Sequence, residues 1–415
     1  MNIDRFRKPS KFLVYLLVML HVLTGCATTS GSGVDVGPRS SSSFSEDMSK
    51  TAYTGPKMDV VIPVFSPGLS GKAANYEEEG VWPELRRAEA NRFAYKLKKA
   101  LDDTGKFGAV RVTPDKTASG DLYVLGSIVE SNGLEVEFDM QVVDASGKEW
   151  LDDNIDYEVG DGFYKNPRNT DKDPYDPAFN QAANDIVKAL LKQKPSDLST
   201  VKHIADLRFG SSFNDKAFDD YLDTSSTPIK LTGLPSESDP LYERVKAIRV
   251  KEQLFVDNLQ PNYAAFSQKM NDSYLTWQKA SATELKLQQE AQNKSLMKII
   301  GGALLIAAAV GVASNRSRDN DDRGRNTGRD IATIAGGIGG AVLITSGISS
   351  RGEAKFHQDA INELGQSLDL EMSPQVIEFE NQSTKLTGNM EQQFQQWRAF
   401  MARMYELEST PDKAL

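Results

Sequence analysis

Residues able to do covalent or metal chemistry are scarce here: one cysteine, Cys26, and three histidines in 415 residues. Ser295 and Lys298 have the Ser-x-x-Lys spacing in which an amine relieves a nucleophilic hydroxyl of its proton. They open an apolar segment, however, and no partner motif follows. Asp171, Asp173 and Asp176 suggest an oxygen-ligand loop for calcium. Such a loop needs glycine at its sixth position and a bidentate acid at its twelfth, where this chain has Asp176 and Ala182. Gly68-Leu69-Ser70-Gly71-Lys72 follows an apolar run as a phosphate loop would. Ser66 and Ala73 stand where the loop requires glycine and a magnesium-binding hydroxyl, which leaves a turn. His203 and His357 lie far apart and lack the spaced partners that zinc takes. No catalytic residue and no metal ligand is therefore expected, and the chain reads as a non-enzyme.

Cys26 belongs to a different pattern. Arg5, Arg7, Lys8 and Lys11 precede an apolar run from Phe12 to Leu23, and Leu23-Thr24-Gly25-Cys26 ends it. That order is a secretory signal, and the run is well short of the ~20 residues needed to span a bilayer. The Leu-x-Gly-Cys ending resembles the lipobox of bacterial lipoproteins. The resemblance implies cleavage of residues 1–25 and attachment of diacylglycerol, with palmitate-type acyl chains, to the Cys26 sulfur. With Ala27 following, it also implies transfer to the outer membrane of a Gram-negative cell, the folded part facing the periplasm. The covalent lipid is then the only prosthetic group expected, and no thiol remains for disulfides, metal or catalysis. Loss of the basic leader moves the net charge from −10 to −13. A chain this acidic is not expected to bind nucleic acid through its overall field.

Residues 26–56, rich in serine, glycine and threonine, read as a flexible lipidated tether. Residues 57–194 read as an α/β domain. Met58–Phe65 has the β-branched run of a buried strand, and Leu85, Ala88, Phe93, Leu97 and Leu101 recur at helical spacing behind Pro83. Strands are expected over Phe107–Val112, Leu122–Val129, Leu134–Val143 and from Lys148, with a closing helix over Ala178–Leu191. The Asp-rich stretch 152–177 reads as a long surface loop. This strand and helix order, with the GDLYVLGSI segment and the hairpin carrying Val143, Asp144, Gly147 and Trp150, resembles a recurrent periplasmic domain. That domain stands at the N-terminus of TolB-type translocation proteins and in LpoB- and CsgG-type lipoproteins. The resemblance covers about a third of the chain and implies fold rather than catalysis.

Residues 195–238 read as a linker, and 239–408 as one long helical hairpin, with a tail at 409–415. Asp239-Pro240 suits a helix start. Leu241, Val245, Ile248, Phe255 and Leu259 mark one face. Pro261 interrupts it before Tyr263, Phe266, Met270, Tyr274 and Trp277 resume. Leu386, Met390, Phe394, Trp397, Met401 and Met404 form a matching stripe, as in a coiled-coil seam, and the two arms are expected to pack together. Between the arms lie apolar segments at 296–313 and 331–350. Both are rich in small residues: Gly301, Gly302 and Gly311, then Gly336, Gly340 and Gly347. Gly336 and Gly340 form a GxxxG face, the glycine-zipper spacing that lets membrane helices approach closely. The loop between the segments holds Arg316, Arg318, Arg323, Arg325 and Arg329, candidates for contact with lipid phosphates.

The expected fold class is thus α+β: a small α/β periplasmic domain followed by a long α-helical hairpin with a Gly-rich apolar tip. Two fates suit the tip, insertion as transmembrane helix or burial in a soluble assembly. The leading functional expectation is a non-enzymatic outer-membrane lipoprotein. It would be a homo-oligomeric assembly or export component whose tip enters a membrane. The alternative is an activator or scaffold that binds a periplasmic envelope enzyme through the α/β domain, the hairpin acting as spacer.

Overall fold

The computed structural model describes residues 50–69, 81–213, 218–301, 375–379 and 382–408. Within these, helices and strands combine as α+β. Strand β1 (Val60–Pro63) is followed by helix α1 (Pro83–Thr104), β2 (Val110–Thr113), β3 (Leu122–Ser131), β4 (Glu135–Asp144), β5 (Glu149–Glu158) and α2 (Asp176–Leu191). The five strands form one sheet in the order β2-β1-β3-β4-β5. β1 runs parallel to both β2 and β3, while β3, β4 and β5 form an antiparallel meander.

Alternation explains the meander. Val136, Phe138, Met140 and Val142 of β4 are fully buried, and the residues between them face outward or lie half-exposed. α1 and α2 cover the buried face. Phe93 of α1 meets Phe179 of α2 edge-on at 5.1 Å, and Phe179 stacks on Phe138 at 5.6 Å. Gly126 lets the Phe65 ring lie against β3, since a Cβ there would come within 2.4 Å of it. In the β4–β5 hairpin, the Asp144 carboxylate accepts from Ser146 N, Ser146 Oγ and Lys148 N on one oxygen and from Trp150 Nε1 on the other. The Asp and Trp of the hairpin motif thus hold each other.

Before residue 301, three expectations change. β5 continues to Glu158, into the stretch expected as loop, because Ile155 is buried and residues 151–158 keep register with β4 past a bulge at Trp150. Aspartates lower strand propensity, but on the solvent face they cost little. The stretch expected as linker carries a helix, α3 (Pro195–Ser211), which buries Leu198, Val201, Ile204 and Leu207 at three-residue spacing. The short strands β6 (Leu222–Asp223) and β7 (Lys230–Leu231) follow. Finally, Pro261 does not interrupt the long helix: α4 runs from Pro240 to Gly301 through it. The proline is exposed, and burial of Val256, Leu259 and Tyr263 around it holds the helix together despite the lost donor.

α4 packs along α1, α3 and the β2 edge of the sheet. Its stripe is buried at Val245, Ile248, Phe255, Leu259, Tyr263, Phe266, Met270 and Tyr274, whereas Leu241 at its start is exposed and Trp277 is half-buried. Each such side chain contributes roughly 1.5–3 kcal/mol. Residues 375–379 and 382–386, expected within the helical hairpin, instead pair as strands β8 (Gln375–Phe379) and β9 (Gln382–Leu386), so Leu386 ends a strand, and the helical stripe begins with α5 (Met390–Glu408). Phe394 and Trp397 of α5 stack on Phe255 at 6.1 and 5.6 Å, so the two arms meet in one core with the sheet domain. The Gln260 amide closes the β2 edge. It accepts from Val112 N at 3.0 Å and donates to Val112 O at 2.8 Å, standing in for a neighbouring strand.

Candidate functional site

The densest polar arrangement lies where α4 crosses α1 and the β3–β4 turn. Glu89 and Arg92 sit on the buried side of α1, one helical step from the apolar stripe, with Arg86 a turn earlier. The Arg92 guanidinium is 1% exposed. Its Nη1 donates to Ser267 O at 2.9 Å, and its Nη2 donates to Asp173 Oδ2 at 2.7 Å and Asn271 Oδ1 at 3.0 Å. The Tyr274 ring lies 4.8 Å from its Cζ. One arginine therefore joins α1 to the loop before α2 and to two turns of α4.

Asp173 receives Lys96 as well, at 3.2 Å, and its Oδ1 accepts from Tyr175 N and Gln278 Nε2. Burial alone would raise its pKa, but Arg92 and Lys96 outweigh that and hold it down at about 2. Glu89 is the opposite case. Its Oε1 accepts from Ser131 Oγ at 2.6 Å and Tyr274 OH at 2.8 Å. Its Oε2 stands 3.9 Å from Arg86 Nη1, a charge contact without a hydrogen bond. Complete burial raises its pKa, and Arg86 offsets this only in part.

Gly133 forms the floor. Its N–H donates to Tyr175 OH at 2.6 Å, and its carbonyl accepts from Tyr164 OH. Its φ is +88°, and a Cβ there would lie 2.3 Å from the Gln278 carbonyl of α4. Ala282, one turn on, is the last buried residue of the helix among those whose side chains are described. Lys286 then reaches Asp161 at 2.9 Å on the surface, and Leu287 is 53% exposed.

Two further clasps hold the earlier part of α4. Arg249 donates to the buried Asp121 at 2.8 Å and to Asp206 of α3, while Lys202 reaches Asp121 at 2.9 Å. These cations lower the Asp121 pKa against the effect of burial. Glu252 accepts from Ser119 N at 2.6 Å and from Arg398 of α5 at 2.9 Å. Arg111 of β2 forks onto Asp257 at 2.6 and 3.0 Å.

What this arrangement does is hold a helix. Charged clasps at Arg249, Glu252 and Asp257 and neutral ones at Ser267, Asn271, Tyr274 and Gln278 succeed one another along some thirty residues of α4, roughly 45 Å at 1.5 Å per residue. Among the described residues no group of three or more His, Cys, Asp or Glu is placed to hold a metal ion. Asp173, one of the three aspartates of the calcium-like spacing, has both oxygens committed to cations and amides. Gly68 takes a left-handed φ of +67°, and Ser70, Gly71 and Lys72 of the phosphate-loop-like run lie outside the described residues. His203 is half-buried on α3.

The residues singled out for anchoring and membrane contact fall elsewhere. Cys26, Gly302, Gly311, Gly336, Gly340, Gly347, Arg316, Arg318, Arg323, Arg325, Arg329 and His357 lie outside the described residues. Gly301 is the final residue of α4, so only 296–301 of the first apolar segment are described. Among the described residues no helix is long and apolar enough to cross a membrane, which qualifies the expectation of a transmembrane helix. α4 itself carries Glu284, Lys286, Glu290 and Lys294 on its way to that segment.

Reading the sequence missed Arg92, Glu89, Asp173 and Gly133 as a set. The available signal was charge on an apolar face: Arg86, Glu89 and Arg92 fall among Leu85, Ala88 and Phe93 on one helix. A scan against protein-family models, a search of curated proteins and a search of solved structures each found no match to this chain.

Proposed function

We propose that this chain is a lipid-anchored outer-membrane protein that holds a long helix out from a folded periplasmic body. The Gly-rich tip of that helical arm engages a membrane within a homo-oligomeric assembly. The carrying observation is the course of α4: clasped to the body through Ala282, then continuing as unbroken helix to Gly301, where the glycine-rich apolar sequence begins. A rigid clasp at the root and a helical stalk beyond it are what presenting a tip at a fixed distance requires. Glycine and alanine drive insertion only weakly, so close helix packing in an oligomer supplies the rest. The lipobox resemblance supplies the anchor at Cys26, and Arg316, Arg318, Arg323, Arg325 and Arg329 would meet lipid phosphates beside the inserted segments.

Cysteine placed at Gly324 tests this, labelled in whole cells with a membrane-impermeant thiol reagent. Labelling of intact cells supports a loop that crosses the outer membrane. Labelling that appears only after the outer membrane is opened leaves the loop in the periplasm and defeats insertion there. A need to open the inner membrane as well would make the chain an envelope bridge.

A second reading, an activator or scaffold acting through the sheet domain, draws support from the charged character of α4 up to residue 294. Deletion of 296–350 separates the two. Unchanged phenotype favours the scaffold, and loss of function with retained localisation favours the arm.

A further inference from the structure

Beside the clasp, between the loop after β5 and α4, lies a cleft with a cavity volume of about 300 Å³. That is the lower end of the range for small-molecule sites. Its lining combines apolar surface, from Phe163, Pro174 and Leu275, with three cations, Lys165, Lys172 and Lys279. No aspartate or glutamate is among its lining residues, although acidic residues outnumber basic ones in the chain by 58 to 48. All three lysines are exposed. Lys172 Nζ contacts only a neutral group across 3.3 Å, the Asn169 amide oxygen. Asp161, the acidic neighbour that feels Lys165, is engaged by Lys286 at 2.9 Å.

We propose that this cleft binds a small molecule bearing two or more oxyanion charges, phosphate or carboxylate, on a compact apolar frame. Three ammonium groups around one concavity repel one another, and a multivalent anion converts that repulsion into attraction from each side. Lys165 and Lys172 belong to the loop, and Lys279 belongs to α4 three residues before its last buried position. A bound anion would therefore tie the loop to the helix where the helix leaves the body. The site is independent of any membrane role of the tip.

Calorimetric titration of the purified full chain with pyrophosphate, and separately with citrate, tests it. One saturable site is expected, and the probe that binds identifies phosphate or carboxylate as the preferred oxyanion. Lys165→Ala, Lys172→Ala and Lys279→Ala should each weaken that probe by about fivefold, and the triple variant should abolish the isotherm. Lys230→Ala, an exposed lysine on β7, should leave it unchanged. Because the lysines are exposed, circular dichroism of the triple variant should match the parent. Absence of saturation with both probes would overturn the proposal. So would binding that persists in the triple variant, which would mark an adventitious anion elsewhere on the surface.

Discussion

The two halves of α4 are one continuous helix built to opposite rules. From Pro240 to Ala282 an apolar stripe is flanked by Arg249, Glu252 and Asp257, which meet partners from β2, α3, α5 and a connecting loop, and by Ser267 and Asn271, which receive Arg92 of α1. From residue 283 the helix continues to Gly301, and Lys286–Asp161 is the last tie to the body among the described residues. Propensity does not separate the halves, since both are rich in good helix formers. What separates them is the tertiary environment. Buried ion pairs are a weak source of net stability but a strong source of specificity, because any misplacement leaves a charge stranded. The first half is thus fixed in register, while among the described residues after Ala282 the tie to the body is the exposed Lys286–Asp161 pair.

Arg92→Ala should break this contrast most. It leaves Asp173 with Lys96 as its remaining cation and removes the bonds to Ser267 and Asn271 of α4, with an expected loss of about 3 kcal/mol in urea unfolding. A loss below 1 kcal/mol would mean the clasp does not fix the helix.

Next come the two buried carboxylates, which should respond to pH in opposite senses. Asp173 is held below its ordinary value of 3.8, at about 2. Its stabilising contribution is present above pH 3.8 and fades as pH falls through 2, worth about 2 kcal/mol. Asp173→Asn should therefore be harmful at pH 7 and progressively less so in acid. Glu89 is raised above 4.5, so its contribution is complete below pH 4.5 and is lost as pH rises through the folded value. Glu89→Gln should gain on the parent as pH rises. Parallel pH profiles for the two variants would contradict the assignment.

Gly133→Ala combines a left-handed backbone with a clash against the Gln278 carbonyl and should cost about 2 kcal/mol. Amide exchange over 263–282 would report it, with faster exchange in the variant at those positions. Lys286→Ala is the small control. Asp161 is 93% exposed, so loss of the pair should change stability by about 0.5 kcal/mol or less. A larger effect would extend the clasped half beyond Ala282.

Periodicity made much of this legible. The four expected strands from β1 to β4, the helices over 83–104 and 176–191, and the facing stripes of α4 and α5 follow from apolar spacing alone, because burial is what spaces apolar residues. Three elements escaped for stated reasons. β5 is written in aspartates because only Ile155 needs to be buried along its outer half. α3 hid behind polar neighbours, and α4 passes Pro261 because tertiary packing outweighs one lost donor. The clasp was the least legible part. Arg92 and Asp173 are 81 residues apart and Arg92 and Ser267 are 175 apart, and no local pattern records a pairing at that range. The anchoring and tip residues are the reverse case, prominent as sequence and outside the described residues.

The Gln260 amide on Val112 has a consequence for how copies of this protein meet at high concentration. A sheet with two free edges invites strand-by-strand growth and, in time, fibrils. Here one edge is stoppered by a single side chain, so this five-stranded sheet has the β5 margin left for growth. That margin carries Glu149, Asp152, Asp153, Asp156 and Glu158, and two such margins brought together would repel. Glutamine at 260 and carboxylates along β5 thus act as a pair of safeguards against cross-β aggregation. The safeguard at 260 depends on α4 staying docked: a helix peeled from the body would uncork the sheet.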